Sequence, residues 1–392
     1  MNRHLWLLTL AQGLFFTNNV TFIAINGLVG LSLAPVGWMA TLPVMGYVVG
    51  SALSAAVVSR TQALWGRKKS FQMGLVVAFF SCALALWAVL HQWFWLLVLA
   101  TFIAGYYSAN AQLYRFAAAE LSPAEGREKA VSWVMAGGLM GAIVGPNLAN
   151  QTKSLLGVPF AGAYLSLMGV AVLAWLVIER IDFGPTPPPP PAGHVQRSWG
   201  SLMGQPVFFV AALSAALGYG VMNLLMAATP LAMQNCGIGF GDTAMVLQWH
   251  VIGMFAPGFF TGHLIKRFGA LPIMGVGVLL NLVCVAIALS GIEVQQFLIA
   301  LLMLGVGWNF LFTGSTTLSM QGYAPEDKHR AQAVLNFCVF ATMAVTSFAS
   351  GALVTTSGWD WLNWGSLLPI GIIGVALLWL ARHLSLNKPQ AA

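Results

Sequence analysis

Charge is scarce in this chain. Only 7% of its 392 residues are Asp, Glu, Lys or Arg, where a soluble domain carries about 25%. With 58% hydrophobic residues, too little polar side chain remains to cover a surface in water. That excludes a water-soluble enzyme, a nucleic-acid-binding module and a disordered chain. Cysteine is scarce as well. Cys82, Cys236, Cys284 and Cys338 lie in or at the ends of apolar segments, with no disulfide framework and no CxxC zinc spacing. A Walker-type GxxxxGKS/T loop is absent, so neither ATP hydrolysis nor covalent chemistry is expected, and no resident cofactor. The first apolar run is too long for a cleavable signal peptide and lacks a clear small-residue cleavage site.

What is present in quantity is long apolar sequence. A bilayer crossing takes about 20 such residues. Suitable runs occur at 5–32, 36–58, 70–90, 92–116, 130–152, 157–178, 206–234, 240–264, 270–291, 295–318, 333–356 and 360–381. The expectation is an all-α membrane protein with twelve transmembrane helices, many interrupted by Gly and Pro, as membrane helices tolerate. With both termini inside, sixteen of the seventeen Lys and Arg fall on the cytoplasmic face and only Lys153 on the other. The positive-inside rule therefore supports both count and orientation, and the net charge of +7 reports topology rather than a polyanionic partner.

The longest polar stretch, 181–205, holds Pro185, Pro187 to Pro191 and Gly193 and reads as a semi-rigid cytoplasmic linker. It separates an N-terminal six-helix half, 1–180, from a C-terminal half, 206–392. The halves are alike. Trp65-Gly66-Arg67-Lys68-Lys69 follows span 2, and Lys266-Arg267-Phe268-Gly269 follows span 8. Ser122-Pro123 opens a charged loop before span 5, and Ala324-Pro325 one before span 11. Gly66 to Gly269 is 203 residues and Pro123 to Pro325 is 202. One offset for two landmarks indicates a duplication, giving two pseudo-symmetric halves. Such halves hold a midplane site between them and alternate its access by rocking.

These features resemble the major facilitator superfamily of transporters over essentially the whole chain. The loops after spans 2 and 8 correspond to its basic loop signature, although the acidic residue normally three before the glycine is replaced by Ala63 and Lys266. Span 5 carries Gly137, Gly141, Gly145 and Pro146, similar to the superfamily's glycine-proline motif. We read this small-residue face as close helix packing.

Ionisable groups in the membrane are the first functional pointers. All ten acidic residues fall in loops or at helix ends, which speaks against a carboxylate cation site or proton relay. Among the histidines His250 alone lies deep, about 15 Å into span 8 at 1.5 Å per residue. It forms an HxxxM pair with Met254, and Met222 and Met226 form an MxxxM pair in span 7. Residues at i and i+4 share a face, and consecutive antiparallel spans allow the two pairs to meet. Met233 and Cys236 extend the stripe outward as outermost ligands. Thioethers favour Cu(I) and imidazole suits copper, whereas hard cations want oxygen. Methionine is equally a gap-filler in apolar cores, and 17 methionines in 392 residues give roughly one MxxxM pair by chance.

Within the superfamily the chain resembles the CcoA-type copper importers of bacterial cytoplasmic membranes, which supply haem–copper oxidase assembly. The resemblance rests on Met222, Met226, His250 and Met254, on the stretch Gln248 to Pro257, on Gly307 to Phe312, and on Cys236. It implies copper as transported substrate, held by Met222, Met226, His250 and Met254. A related branch imports riboflavin and shares much of this background. A flavin wants aromatic stacking and amide hydrogen bonds, and Asn18, Asn19, Tyr106, Tyr107, Trp308 and Asn309 offer both. Membrane helices also use Asn and Gln as interhelical glue. The expectation is a monomeric copper importer of the bacterial inner membrane, with import of riboflavin or a similar small organic solute as the alternative.

Overall fold

The structure is a computed structural model that describes residues 2–123, 127–184, 198–324 and 327–386. Most of the proline-rich linker, both charged loop tips at 124–126 and 325–326, and the last six residues lie outside this set. Among the described residues all regular structure is helical. The N-terminal half contains α1 (Arg3–Leu33), α2 (Leu42–Leu90), α3 (Phe94–Ala111), α4 (Tyr114–Glu120), α5 (Arg127–Ala136), α6 (Gly138–Thr152) and α7 (Ala161–Glu179). A short α8 (Trp199–Met203) precedes the C-terminal half. That half contains α9 (Pro206–Asn235), α10 (Phe240–Phe255), α11 (Gly258–Phe268), α12 (Ala270–Ala288), α13 (Val294–Ser319), α14 (Lys328–Thr356) and α15 (Gly358–Leu386).

Among the described residues eleven helical stretches are long and apolar enough to cross a membrane, and one of them, Gly37–Leu90, runs to 54 residues. A straight helix of that length would measure about 80 Å, more than twice the hydrocarbon core of about 30 Å. It is broken at Gly66, whose φ of 78° and ψ of 171° are not helical. Divided there, the described residues form twelve spans. Gly269, 203 residues later, has φ 89° and ψ 161° and parts α11 from α12. Only glycine adopts this backbone without strain, so Gly66 and Gly269 take the same kind of turn 203 residues apart. Three other spans are interrupted: span 4 between α3 and α4, span 5 at Gly137 between α5 and α6, and span 8 between α10 and α11.

The small-residue face of span 5 packs on α1. A Cβ on Gly137 would lie 2.3 Å from Thr9 O, and one on Gly141 would lie 2.3 Å from Phe16 Cβ and 2.6 Å from Thr17 N. With no hydrophobic drive between helices in lipid, such close backbone approach is what holds them together. At the terminal face, Arg67 pairs with Glu120 at 2.6 Å and Lys68 with Glu179 at 3.3 Å. The basic loop thus finds its carboxylates at the ends of spans 4 and 6. These pairs are partly exposed, so each contributes at most about 1 kcal/mol.

Candidate functional site

Contacts between the halves gather toward the face opposite the termini. The Thr41 hydroxyl accepts from Gly351 N at 3.0 Å and donates to Phe348 O at 3.4 Å. Asn147 Nδ2 donates to Gln248 Oε1 at 2.7 Å. Phe160 meets Phe240 with ring centroids 4.9 Å apart, and Lys153 lies 5.6 Å from the Phe240 ring. The innermost aromatic contact of this seal is Phe16 against Phe255, edge to face at 4.7 Å.

Phe255 opens a row of rings. It lies 6.2 Å from Trp308, which stacks on Phe312 at 5.2 Å with an interplanar angle of 8°. Tyr219 stands edge-on to both, at 5.2 Å and 5.4 Å. On the other side Phe16 meets Phe15 at 5.2 Å, and Phe15 meets Tyr107 at 5.5 Å. Seven rings from α1, α3, α9, α10 and α13 therefore run across the boundary between the halves. Local sequence places them. Gly137 and Gly141 let α1 lie against span 5 and so set Phe16. Pro257 lacks an N–H, span 8 parts there, and Phe255 becomes the last residue of α10. Gly305 lets α13 approach α10 so closely that a Cβ would lie 2.4 Å from His250 O, which brings Trp308, one turn on, beside Phe255. The Trp308 indole is 6% exposed, and its Nε1 has no hydrogen-bond partner. An indole N–H can only donate, so this buried donor awaits an acceptor.

The amides expected to meet an organic solute are largely engaged within the protein. Asn18 Nδ2 faces Cys82 Sγ at 3.9 Å, and Asn19 Nδ2 donates to the Tyr47 hydroxyl at 3.2 Å. Asn309 braces the span 8 break: its Nδ2 donates to Met254 O at 2.7 Å and its Oδ1 accepts from Thr261 at 2.6 Å. Tyr106 reaches Thr61 at 3.4 Å, and Tyr107 ends the aromatic row. Trp308 alone of the six belongs to the bridging part of that row. Phe16, Tyr219 and Phe255 were not singled out from sequence. Aromatic side chains are common on membrane helices, and only their facing in three dimensions sets these apart.

The sulfur and imidazole residues sit differently. Met222, Met226, Met233, His250 and Met254 are all buried, and Cys236 is half-buried at the end of α9. Spans 7 and 8 make little contact with each other: α9 packs mainly on α14, α13 and α15, and α10 on α13 and α6. The His250 ring turns to α13, with Nδ1 2.7 Å from Leu301 O. A carbonyl only accepts, so Nδ1 carries a proton, while Nε2 is buried and without partner. Among the described residues no three of His, Cys, Asp and Glu come together as a metal site. At Cys236, outside the spans, burial and then the nearby Asp360 charge push the thiol above its ordinary value, which disfavours the thiolate that binds metal.

The family model of the Major Facilitator Superfamily matches residues 5–248 and 211–392. The riboflavin transporter RfnT of Brucella anthropi is 35% identical over 392 residues, spanning 100% of this chain and 97% of that protein. An uncharacterized MFS-type transporter of Bacillus subtilis, YdeG, is 26% identical over 91% of this chain and 86% of its own. Among solved structures, the POT family transporter PepTSo superposes with a TM-score of 0.76 at 10% identity, covering 99% of both chains. A bacterial homologue of the iron transporter ferroportin, outward-facing, gives 0.64 at 14% identity over 97% of this chain and 100% of its own. At such identities these two speak for the fold alone.

Proposed function

The chain belongs to the Major Facilitator Superfamily and is a secondary transporter of that type; from this premise we propose that its cargo is riboflavin or a similar planar heteroaromatic solute. The observation that carries the reading is the aromatic row through Phe16, Phe255, Trp308 and Tyr219, which joins the halves and holds an unpartnered indole N–H. A flat ring system stacks or sits edge-on among such rings, and a few convergent polar groups orient it. The 35% identity to RfnT along the full chain supports the same cargo. Copper has no comparable support: no relative described above is named for it, and the two helices carrying its ligands scarcely touch.

The orientation follows from charge. By sequence the basic residues concentrate toward the side of the termini, with only Lys153 expected on the other, which supports a cytoplasmic placement of that face. The seal between the halves then lies outside, and this conformation faces inward. In this reading the protein sits in a bacterial cytoplasmic membrane and works as an importer, with solute released to the cytoplasm after the halves rock.

Uptake of radiolabelled riboflavin by cells expressing the wild type, Trp308→Ala and Phe255→Ala tests the proposal. Uptake above the vector control that falls in both variants is expected. No uptake by a folded, membrane-inserted wild type overturns it, and copper uptake measured in the same cells shows whether the metal is carried instead.

A further inference from the structure

Three polar atoms around the aromatic row have no partner. Trp308 Nε1 is the first. The second is Gln12 Oε1, buried, with the amide's other end reaching only Met135 Sδ at 3.9 Å. Gln12 lies one turn before Phe16 on α1, so the two share a face. The third is Arg115 Nε, also buried. Arg115 follows the turn that breaks span 4, its guanidinium carbon lies 5.0 Å from the Phe116 ring, and it is within electrostatic reach of Tyr219 across the boundary between the halves. Among the described residues no carboxylate pairs with it.

Depth agrees. Counted along their helices from the terminal face, Gln12 is about 14 Å in, Trp308 about 17 Å and Tyr219 about 20 Å. Arg115 starts about 8 Å in, and its long side chain can cover part of the difference in depth. A cation in the membrane interior without a counter-charge is costly unless something compensates it. Arginine and indole only donate, and the glutamine oxygen only accepts. The free set is thus two donors and one acceptor at the edge of a stacking surface.

The geometry points to a polar pole, Arg115, Trp308 and Gln12, that reads the imide edge of a planar heteroaromatic substrate. Carbonyl oxygens of the imide accept from Arg115 and Trp308, and the imide N–H between them donates to Gln12 Oε1. This rests on the proposed cargo and narrows it. The ring must carry a carbonyl–NH–carbonyl edge, and a cationic dye of the same shape is rejected by Arg115.

Equilibrium dialysis of the purified full-length protein tests this with riboflavin, N3-methylriboflavin and lumazine, which carries the imide edge without the flavin's third ring. Methylation removes the N–H and should weaken wild-type binding about tenfold or more, the loss of one buried hydrogen bond. In Gln12→Leu the two flavins should bind alike. Arg115→Gln should weaken riboflavin and lumazine together, with Arg115→Lys in between. The methyl comparison on wild type needs no variant to fold. Riboflavin binding with no methyl discrimination and no loss in Arg115→Gln overturns the pole, leaves the flavin reading standing, and makes Arg115 a residue that merely reaches for water. Lumazine binding that depends on Arg115, without riboflavin binding, keeps the pole and overturns the flavin. Binding of neither overturns both.

Discussion

Two buried nitrogens invite opposite readings of the same interior. His250 Nε2 and Trp308 Nε1 are both sequestered and both lack a partner, and their helices, α10 and α13, pack on each other. His250 is held within the C-terminal half, its ring fixed to Leu301 and its helix pressed against Gly305. Trp308 stands in a row that continues through Phe255 to Phe16 of the other half. A carrier that works by rocking one half against the other must hold its cargo with groups from both. A residue's chemistry nominates it, and its place relative to that boundary decides whether it is suited to the task.

The comparison breaks most severely if α1 is pushed off span 5. Gly141→Val places a side chain where even a Cβ is 2.3 Å from Phe16 and 2.6 Å from the α1 backbone. Overpacking of this kind costs about 1–3 kcal/mol or more, and it moves Phe16 away from Phe255. We expect a lowered melting temperature in a thermal shift assay and loss of riboflavin uptake. Gly262→Val, where nothing lies within 4 Å, should leave both intact.

Next in size is the row itself. Phe255→Ala removes the ring that joins Phe16 to Trp308. Each aromatic pair is worth about 0.5–1.5 kcal/mol beyond buried area, so we expect roughly a tenfold fall in kcat/KM for riboflavin uptake. Met254→Ala, one residue away but off the row, should change it less than about threefold.

His250→Ala should cost stability rather than transport. It removes the side-chain hydrogen bond to Leu301 O, a cost of about 0.5–1.5 kcal/mol, readable as a lower melting temperature, while riboflavin uptake stays within about threefold of wild type. Met222→Ala should do still less to uptake. If instead copper accumulates in cells with the wild type and fails to in both variants, the sulfur and imidazole set is the site and the comparison reverses.

The fold was legible because membrane spans are set by length and apolarity. Span 7, expected over 206–234, is α9, Pro206–Asn235, and span 9, expected over 270–291, is Ala270–Ala288. Span 2 was expected over 36–58, yet the helix continues to Gly66. A helix satisfies its own backbone and can extend beyond the bilayer. The site was less legible. Asn309 stood out as polar, but both ends of its amide serve the Pro257 break. Phe16 did not stand out beside Phe15, and periodicity does not say which of two adjacent rings crosses to the other half.

The smallest expected effect concerns the outermost sulfur. Cys236 caps α9 at the sealed face, half-buried, with its thiol held above the ordinary value by burial and by the Asp360 charge. A raised value means less thiolate at pH 7, and the thiolate is both the metal ligand and the nucleophile. Maleimide should therefore label Cys236 more slowly than a free thiol at neutral pH, with the rate climbing at a higher pH than for the free thiol. Asp360→Asn removes one of the two causes and should shift that climb down in pH without reaching the free thiol, since burial is the larger one. Labelling as fast as a free thiol at pH 7 would mark Cys236 as a thiolate poised to capture a soft metal, and would return weight to the sulfur stripe.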